Sequence, residues 1–202
     1  MRDLTPLCLL AKKYQTDKGG RHLIYGGVPV DTCHEYTPAY HDLFADRRMD
    51  VKRVLEVGVN AGGSLKMWSE FFPNAEIVGL DIRRNVLYDE GKIKCFYADQ
   101  GDEASLLHAI AESGPALYDL IIDDGSHELA HQILTANTLM QFLAPDGIYV
   151  IEDIHRDCTP SSVTDFILPK YHCSTVQCEQ GIGKAKCGCC GAPYETLILI
   201  RR

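Results

Sequence analysis

Near the start of the chain, apolar residues recur three and four positions apart: Leu7, Leu10, Ala11 and Tyr14 within Leu4 to Tyr14, then Tyr36, Tyr40, Leu43 and Phe44 around Thr37-Pro38. This spacing predicts two amphipathic helices. The second is expected to close over the first strand, with an aromatic stripe that serves the core. Between them, from Gln15 through Pro29, glycine and polar residues follow no period. That predicts a long loop acting as a lid or binding loop.

Further along, the pattern changes to short apolar runs: Arg53 to Val59, Glu76 to Leu80, Ile93 to Tyr97, Tyr118 to Ile122 and Gly147 to Ile151. Runs of this length, each stopping abruptly at glycine, asparagine or acid, predict buried parallel strands. The segments between them, Leu65 to Phe72, Asp102 to Ser113 and His127 to Leu143, predict helices, the middle one capped by Asp102. After a helix near Ser161 to Leu168 come two β-rich runs, Tyr171 to Gln177 and Glu195 to Ile200, which predict an antiparallel hairpin on the parallel sheet.

Composition narrows the class. The chain has 202 residues, 46% of them hydrophobic, enough for one well-cored domain, and no shift in composition marks a second. We expect a single domain over 1–202, in which 1–50 supply N-terminal helices and the lid loop. Within it, 173–194 form a cysteine-rich loop of the terminal hairpin. A formal charge of −8, from 28 acidic and 20 basic residues without a Lys/Arg-rich run, argues against a nucleic-acid partner. No apolar stretch reaches the length of a membrane span. Asp3, Pro6 and Lys12-Lys13 interrupt the start where a cleaved leader needs an apolar run. A cytoplasmic protein without a membrane partner is the expectation, and homo-oligomerisation is left open.

Nine cysteines are many for such a protein, and five crowd into Cys173, Cys178, Cys187, Cys189 and Cys190. The odd total argues against a full disulfide framework. Four of these thiolates would suffice for a structural zinc ion, although the paired C-x2-C spacing of zinc ribbons is absent. The plainer reading is reduced thiols in a glycine-rich loop between two strands.

Candidate chemistry sits where the runs end. Tyr118 to Ile122 stops at Asp123-Asp124-Gly125-Ser126-His127, and Gly147 to Ile151 stops at Glu152-Asp153. Ligands bind at the carboxyl edge of parallel strands. Two such tips predict up to four carboxylates around one point with His127 beside them, a hard-cation site with a base attached. Asp-Asp-Gly alone is also an ordinary turn with a helix cap, and His127 alone an ordinary capping histidine; the second acidic tip favours a site. His131, one turn on, is a weaker candidate base, while His155 and Asp157 either line the pocket or are solvated. Arg53 to Val59 runs into Asn60-Ala61-Gly62-Gly63-Ser64, a glycine turn before a helix that Ser64 is expected to cap. Asp81, ending the second strand roughly twenty residues on, suits both hydroxyls of a ribose. Asp99-Gln100, at the tip of the third, suit an adenine edge.

Five strand-and-helix units followed by a hairpin resemble the class I S-adenosylmethionine-dependent methyltransferase fold, a Rossmann-like seven-stranded, mostly parallel sheet with a C-terminal antiparallel hairpin. Glu56-x-Gly58-x-Asn60-x-Gly62 resembles that fold's glycine motif, with Asn60 where the middle glycine usually stands, and Asp81 matches its ribose acid. A narrower resemblance runs through Lys13-Tyr14-x-Thr16-Asp17-Lys18, Leu55-Glu56-Val57-Gly58-Val59, Ile122-Asp123-Asp124-Gly125-Ser126-His127 and Val150-Ile151-Glu152-Asp153. These motifs are similar to those of the metal-dependent sugar O-methyltransferases of the macrocin and mycinamicin type. The resemblance implies magnesium held by Asp124, Glu152 and Asp153, with His127 as general base. It also implies an S-adenosylmethionine site drawn from Thr16, Lys18, Glu56, Gly58, Asn60, Gly62, Ser64, Asp81, Asp99, Gln100 and Asp123. The resemblance does not extend to the large amino-terminal region of the macrolide enzymes, and the cysteine loop has no counterpart in it.

A sugar hydroxyl is a poor nucleophile at neutral pH, so a cation and a base at one point fit transfer to such an oxygen. The expected partner is a sugar-containing small molecule or glycan. Catechol-type acceptors, which also present adjacent hydroxyls, are the enzymatic alternative. A non-catalytic interaction protein that keeps the fold is the alternative of another class, disfavoured because a binding module needs no complete metal-and-base set.

Overall fold

The computed structural model describes residues 4–22, 24–25, 28–29, 34–154, 158–178 and 195–202. Seven strands form its main sheet: β1 (Arg53–Val57), β2 (Glu76–Asp81), β3 (Ile93–Tyr97), β4 (Tyr118–Asp123), β5 (Leu143–Ile151), β6 (His172–Cys178) and β7 (Glu195–Arg201). Their spatial order is β3-β2-β1-β4-β5-β7-β6, with β1 to β5 parallel and β7 antiparallel to both neighbours. An eighth, two-residue strand, Asp89–Glu90, joins the β3 edge, so the sheet has one strand more than the expected seven. The turn through Gly91 folds it back on Ile93-Lys94.

Successive residues of a strand face opposite sides, and the two cores follow that rule. On one face Val54, Ile122 and Val150 pack under α1 (Pro6–Tyr14), α2 (Tyr36–Phe44) and α3 (Gly63–Phe71). On the other, Leu55, Ile121 and Tyr149 pack under α4 (Glu103–Ser113), α5 (Leu129–Leu139) and α6 (Pro160–Thr164). The Asp102 side chain caps α4 by accepting from the Ala104 amide at 3.0 Å, as expected. No helix among the described residues is long and apolar enough to cross a membrane.

Several local expectations change. The segment after Gln15 is not a plain loop: it contains a 3₁₀ helix, Asp17–His22, and a short ladder pairing Ile24–Tyr25 with Val28–Pro29. Its Thr16 and Lys18 are buried. The helix expected from His127 begins at Leu129, because His127 has a left-handed φ of 58° that no helix start accommodates. Gly62 rather than Ser64 caps α3, and Ser64 lies buried in the first turn. The helix expected from Ser161 to Leu168 is only Pro160–Thr164.

The close approach of β1 and β4 at their tips needs glycine. Gly58 has φ 102°, and a Cβ there would collide with the Asp124 carbonyl oxygen. Gly91 has φ 59° with open space around it. Strain at positive φ costs about 1–2 kcal/mol and overpacking a further 1–3 kcal/mol or so. Gly58→Ala should therefore lower the unfolding free energy by about 3 kcal/mol, and Gly91→Ala by only about 1 kcal/mol. Urea unfolding of the two variants beside the parent tests this; equal losses would contradict it.

Candidate active site

The turn after β1 shapes one end of the site. Gly58, Asn60 and Gly62 take φ of 102°, 47° and 76°, so asparagine meets the need for positive φ that glycine usually meets. Asp81, ending β2, holds this turn from below: its Oδ2 accepts from the amides of Val59 at 2.9 Å and Asn60 at 3.3 Å. Its Oδ1 accepts from the Arg83 amide at 2.8 Å, and the Arg83 guanidinium reaches both oxygens at 3.2 and 3.3 Å. Burial alone would raise Asp81, but Arg83 and the two turn amides hold it below the usual carboxylate range.

A cavity of about 940 Å³ opens here and runs along the strand tips from Asn60, Asp81 and Asp99 to Asp124, His127 and Asp153. Its size suits a cofactor-sized ligand. Gln15, Thr16 and Ser64 also line it.

Gln100 lines the cavity and also ties two strand tips together. Its amide donates to Asp123 Oδ1 at 2.6 Å and accepts from the Ser126 amide at 2.8 Å. Asp123 is fully buried beneath the cavity, where Tyr149 donates to its other oxygen at 3.3 Å. Burial pushes its carboxyl up to about 6, against the pull of Gln100. Asp99 accepts from the Gly101 amide at 2.9 Å and remains at the cavity wall.

The two acidic tips do not converge as four equivalent carboxylates. Bonds from Asp124 N to Val57 O (2.9 Å) and Glu152 N to Asp123 O (3.0 Å) extend the ladders one residue beyond the strands. Glu56, Asp124 and Glu152 consequently share one face of the sheet, and Asp123 lies on the other. Into the first group reaches Lys18, whose side chain is 2% exposed. Its ammonium pairs with Asp124 at 2.5 Å, with Glu56 at 3.2 Å, and with Glu152. Burial would discharge a lone lysine, but the three acids outweigh it and hold Lys18 charged. One cation for three acids leaves an excess of negative charge. Burial pushes Glu56 up to about 7 in spite of Lys18, and Trp68 Nε1 donates to it at 3.1 Å. Burial, opposed by Lys18, raises Glu152 as well.

Asp153 turns away from its neighbour through a φ of 51°. Enclosure alone would raise its carboxyl, but hydrogen bonds from His34 and Tyr36 outweigh that and hold it well below the usual range. One ligand atom each from Asp124, His127 and Asp153 lies within 4.8 Å of the others. The Nδ1 of His127 is buried without a hydrogen-bond partner among the described residues. A hard or borderline divalent cation fits this donor set. His131, by contrast, bonds Ser126 Oγ through Nδ1 at 2.9 Å and fixes the loop.

The stripe on α2 does more than fill the core. Tyr36 donates to Asp153, and Tyr40, its ring edge-on to Trp68, donates to Glu152 at 2.5 Å. A signal existed: two tyrosines four apart on a buried face carry hydroxyls that need partners. Gln132 is likewise buried on α5 and donates to the Glu152 carbonyl at 3.2 Å. Cys173 and Cys178 sit at opposite parities of β6 and pack on opposite faces of the sheet, so the two do not form half of one zinc site. Cys187, Cys189, Cys190, His155 and Asp157 lie outside the described residues.

Strand order, glycine turn and strand-end acid together define the class I methyltransferase fold. Comparison with known proteins refines this. No protein-family model matches the chain. It is 35% identical over 167 residues to 8-demethyl-8-alpha-L-rhamnosyl tetracenomycin-C 2'-O-methyltransferase of Streptomyces olivaceus, covering 79% of the chain and 40% of that protein. It is 41% identical over 128 residues to mycinamicin VI 2''-O-methyltransferase of Micromonospora griseorubida, covering 60% of the chain and 32% of that protein. Among solved structures, MycE methyltransferase from the mycinamycin biosynthetic pathway, in complex with Mg, SAH and mycinamycin VI, aligns with a TM-score of 0.60 and 38% identity. The alignment covers 74% of this chain and 39% of that one. The chain is thus a homologue of named sugar O-methyltransferases, as its four motifs imply, and spans about two fifths of the length of the first of these relatives, 40%.

Tyr40→Phe tests how tightly the acidic face is balanced. It keeps the ring against Trp68 and removes one donor from buried Glu152. Loss of a hydrogen bond to a charged group should cost about 2 kcal/mol in chemical unfolding. A change of about 1 kcal/mol would mean Glu152 accepts this bond as a neutral carboxyl, and one below about 0.5 kcal/mol that the bond adds nothing net.

Proposed function

We propose that the chain is an S-adenosylmethionine-dependent O-methyltransferase that acts on a sugar hydroxyl of a glycan, a sugar nucleotide or a glycosylated natural product. It works as one domain over 1–202 in the cytoplasm. The observation that carries this reading is a single cavity with Asp81 and the glycine turn at one end and Asp124, His127 and Asp153 at the other. The names of the relatives, which specify O-methylation of rhamnosyl tetracenomycin and of mycinamicin VI, support it.

S-adenosylmethionine supplies a methyl group made electrophilic by its sulfonium, and a magnesium ion, when bound, stabilises negative charge on a hydroxyl oxygen. The chain's own residues do the rest. Asp81 and the turn at Asn60 to Ser64 hold the nucleoside, with Asp99 at the far wall. Asp124 and Asp153 are the donors that face the cavity for the cation; Glu152 is the third ligand implied by the resemblance. His127 takes the hydroxyl proton, and the walls built by Thr16 and Gln15 keep water from the transferring methyl group.

Incubating the protein with S-adenosylmethionine and a panel of glycosides, with and without magnesium, tests the reading; no methylated glycoside under any condition would overturn it. Activity should vanish on EDTA treatment and return with magnesium. Asp81→Ala should weaken cofactor binding by calorimetry, and unchanged affinity would remove Asp81 from the site. His127→Ala should slow single-turnover transfer by roughly 10²- to 10⁴-fold, the range for a lost general base, with cofactor binding intact. A severe loss in His131→Ala with only a few-fold loss in His127→Ala would move the base one turn along α5.

A further inference from the structure

Resting on the metal reading above, we infer that Tyr36 and His34 hold one oxygen of Asp153 so that its other oxygen is turned to the cation. Asp153 follows directly on the extended end of β5 and takes a left-handed φ of 51° there. A residue other than glycine is strained in that region, and it stays there only where its surroundings hold it. Two groups at the start of α2 do so. Tyr36, 1% exposed, donates its hydroxyl to Asp153 Oδ1, and His34 Nδ1 lies 3.2 Å from the same oxygen. The two rings rest on each other with centroids 5.4 Å apart, so each braces the other.

Among the described residues, both groups fall on Oδ1 and no hydrogen bond reaches Oδ2. Asp153 is 23% exposed, lines the cavity, and belongs to the compact group with Asp124 and His127. A carboxylate fixed through one oxygen meets an ion through the other, and the partners behind a metal ligand set its direction and its affinity. Asp124 and Glu152 keep their places as the other ligands. The first turn of α2 therefore aims a ligand as well as filling the core, and Tyr36 and His34 act as positioning residues for Asp153.

Manganese(II) binding to the whole chain, followed by electron paramagnetic resonance without cofactor or acceptor, tests this. Tyr36→Phe keeps the ring and removes the hydroxyl, and it should raise the dissociation constant about tenfold or more, the lower end of the range for a lost partner behind a metal ligand. His34→Ala should do the same. His34→Asn, which returns an N–H donor near the place of Nδ1, should recover binding to within about threefold of the parent. A purely structural role would lower the unfolding temperature of these variants and leave their manganese affinity unchanged, which would overturn the inference while leaving the metal site standing. Equal loss in His34→Asn and His34→Ala would overturn the part given to His34. No manganese binding by the parent chain would overturn the metal reading itself and the inference with it. A crystal of the unaltered protein soaked in manganese gives a check independent of variant folding. Anomalous density on Asp153 Oδ2, with Tyr36 still bonded to Oδ1, upholds the inference, and density on Oδ1 refutes it.

Discussion

An ammonium group cannot be buried unless its charge is matched, and the strand-tip region is built around meeting that condition for Lys18. Its partners come from the ends of β1, β4 and β5, whereas Lys18 itself arrives from the segment after α1. The N-terminal helices therefore cannot be an optional cover: lifting them would expose Trp68 and Phe71 and strand Glu56 and Glu152 without their cation. Removing one partner of a buried ion pair typically costs about 3–5 kcal/mol. Retaining so expensive an arrangement makes sense where charge must be aimed, because it holds Glu56, Asp124 and Glu152 in fixed positions on one face of the strand tips.

The two ends of the cavity are also mechanically joined. Gly58 lies directly against the Asp124 carbonyl, and Gln100 bridges the tip of β3 to Asp123 and Ser126 beyond the tip of β4. A nucleoside held on the glycine turn and an acceptor held near Asp124 would share one rigid frame. Preorganisation of this kind is how an enzyme fixes an in-line approach without relying on motion at the moment of reaction.

Much of this frame was legible in the amino-acid order, because the relevant signals are local. The apolar runs, the positive-φ asparagine at 60 and the acid at 81 each answer to a short-range rule, and the strands and turn stand where those rules place them. Lys18 was not legible as an ion-pair partner, since it follows no period and its three acids are separated from it by long stretches of chain. The bond from Gln100 to Asp123 was hidden for a related reason: an amide at a strand tip fits a ligand or a neighbouring loop equally well, and only the tertiary fold brought Asp123 within reach. Tyr36 and Tyr40 gave half a signal, their spacing predicting burial but not the acceptors. The left-handed kinks at His127 and Asp153 had no glycine or asparagine to announce them.

Alternation at the strand tips makes chain length a stricter quantity than side-chain identity in this part of the molecule. One residue inserted or deleted between Leu120 and Asp124, or between Ile148 and Glu152, would exchange the faces on which the acids lie, sending Asp124 beneath the sheet and Asp123 up to the lysine. No single further substitution undoes such a frame shift, because every residue of the tip is displaced together. Descendants of this sequence are free to remodel exposed loops away from the tips, by insertion as well as by replacement. Along the tips themselves they can diversify only by exchanging one residue for another.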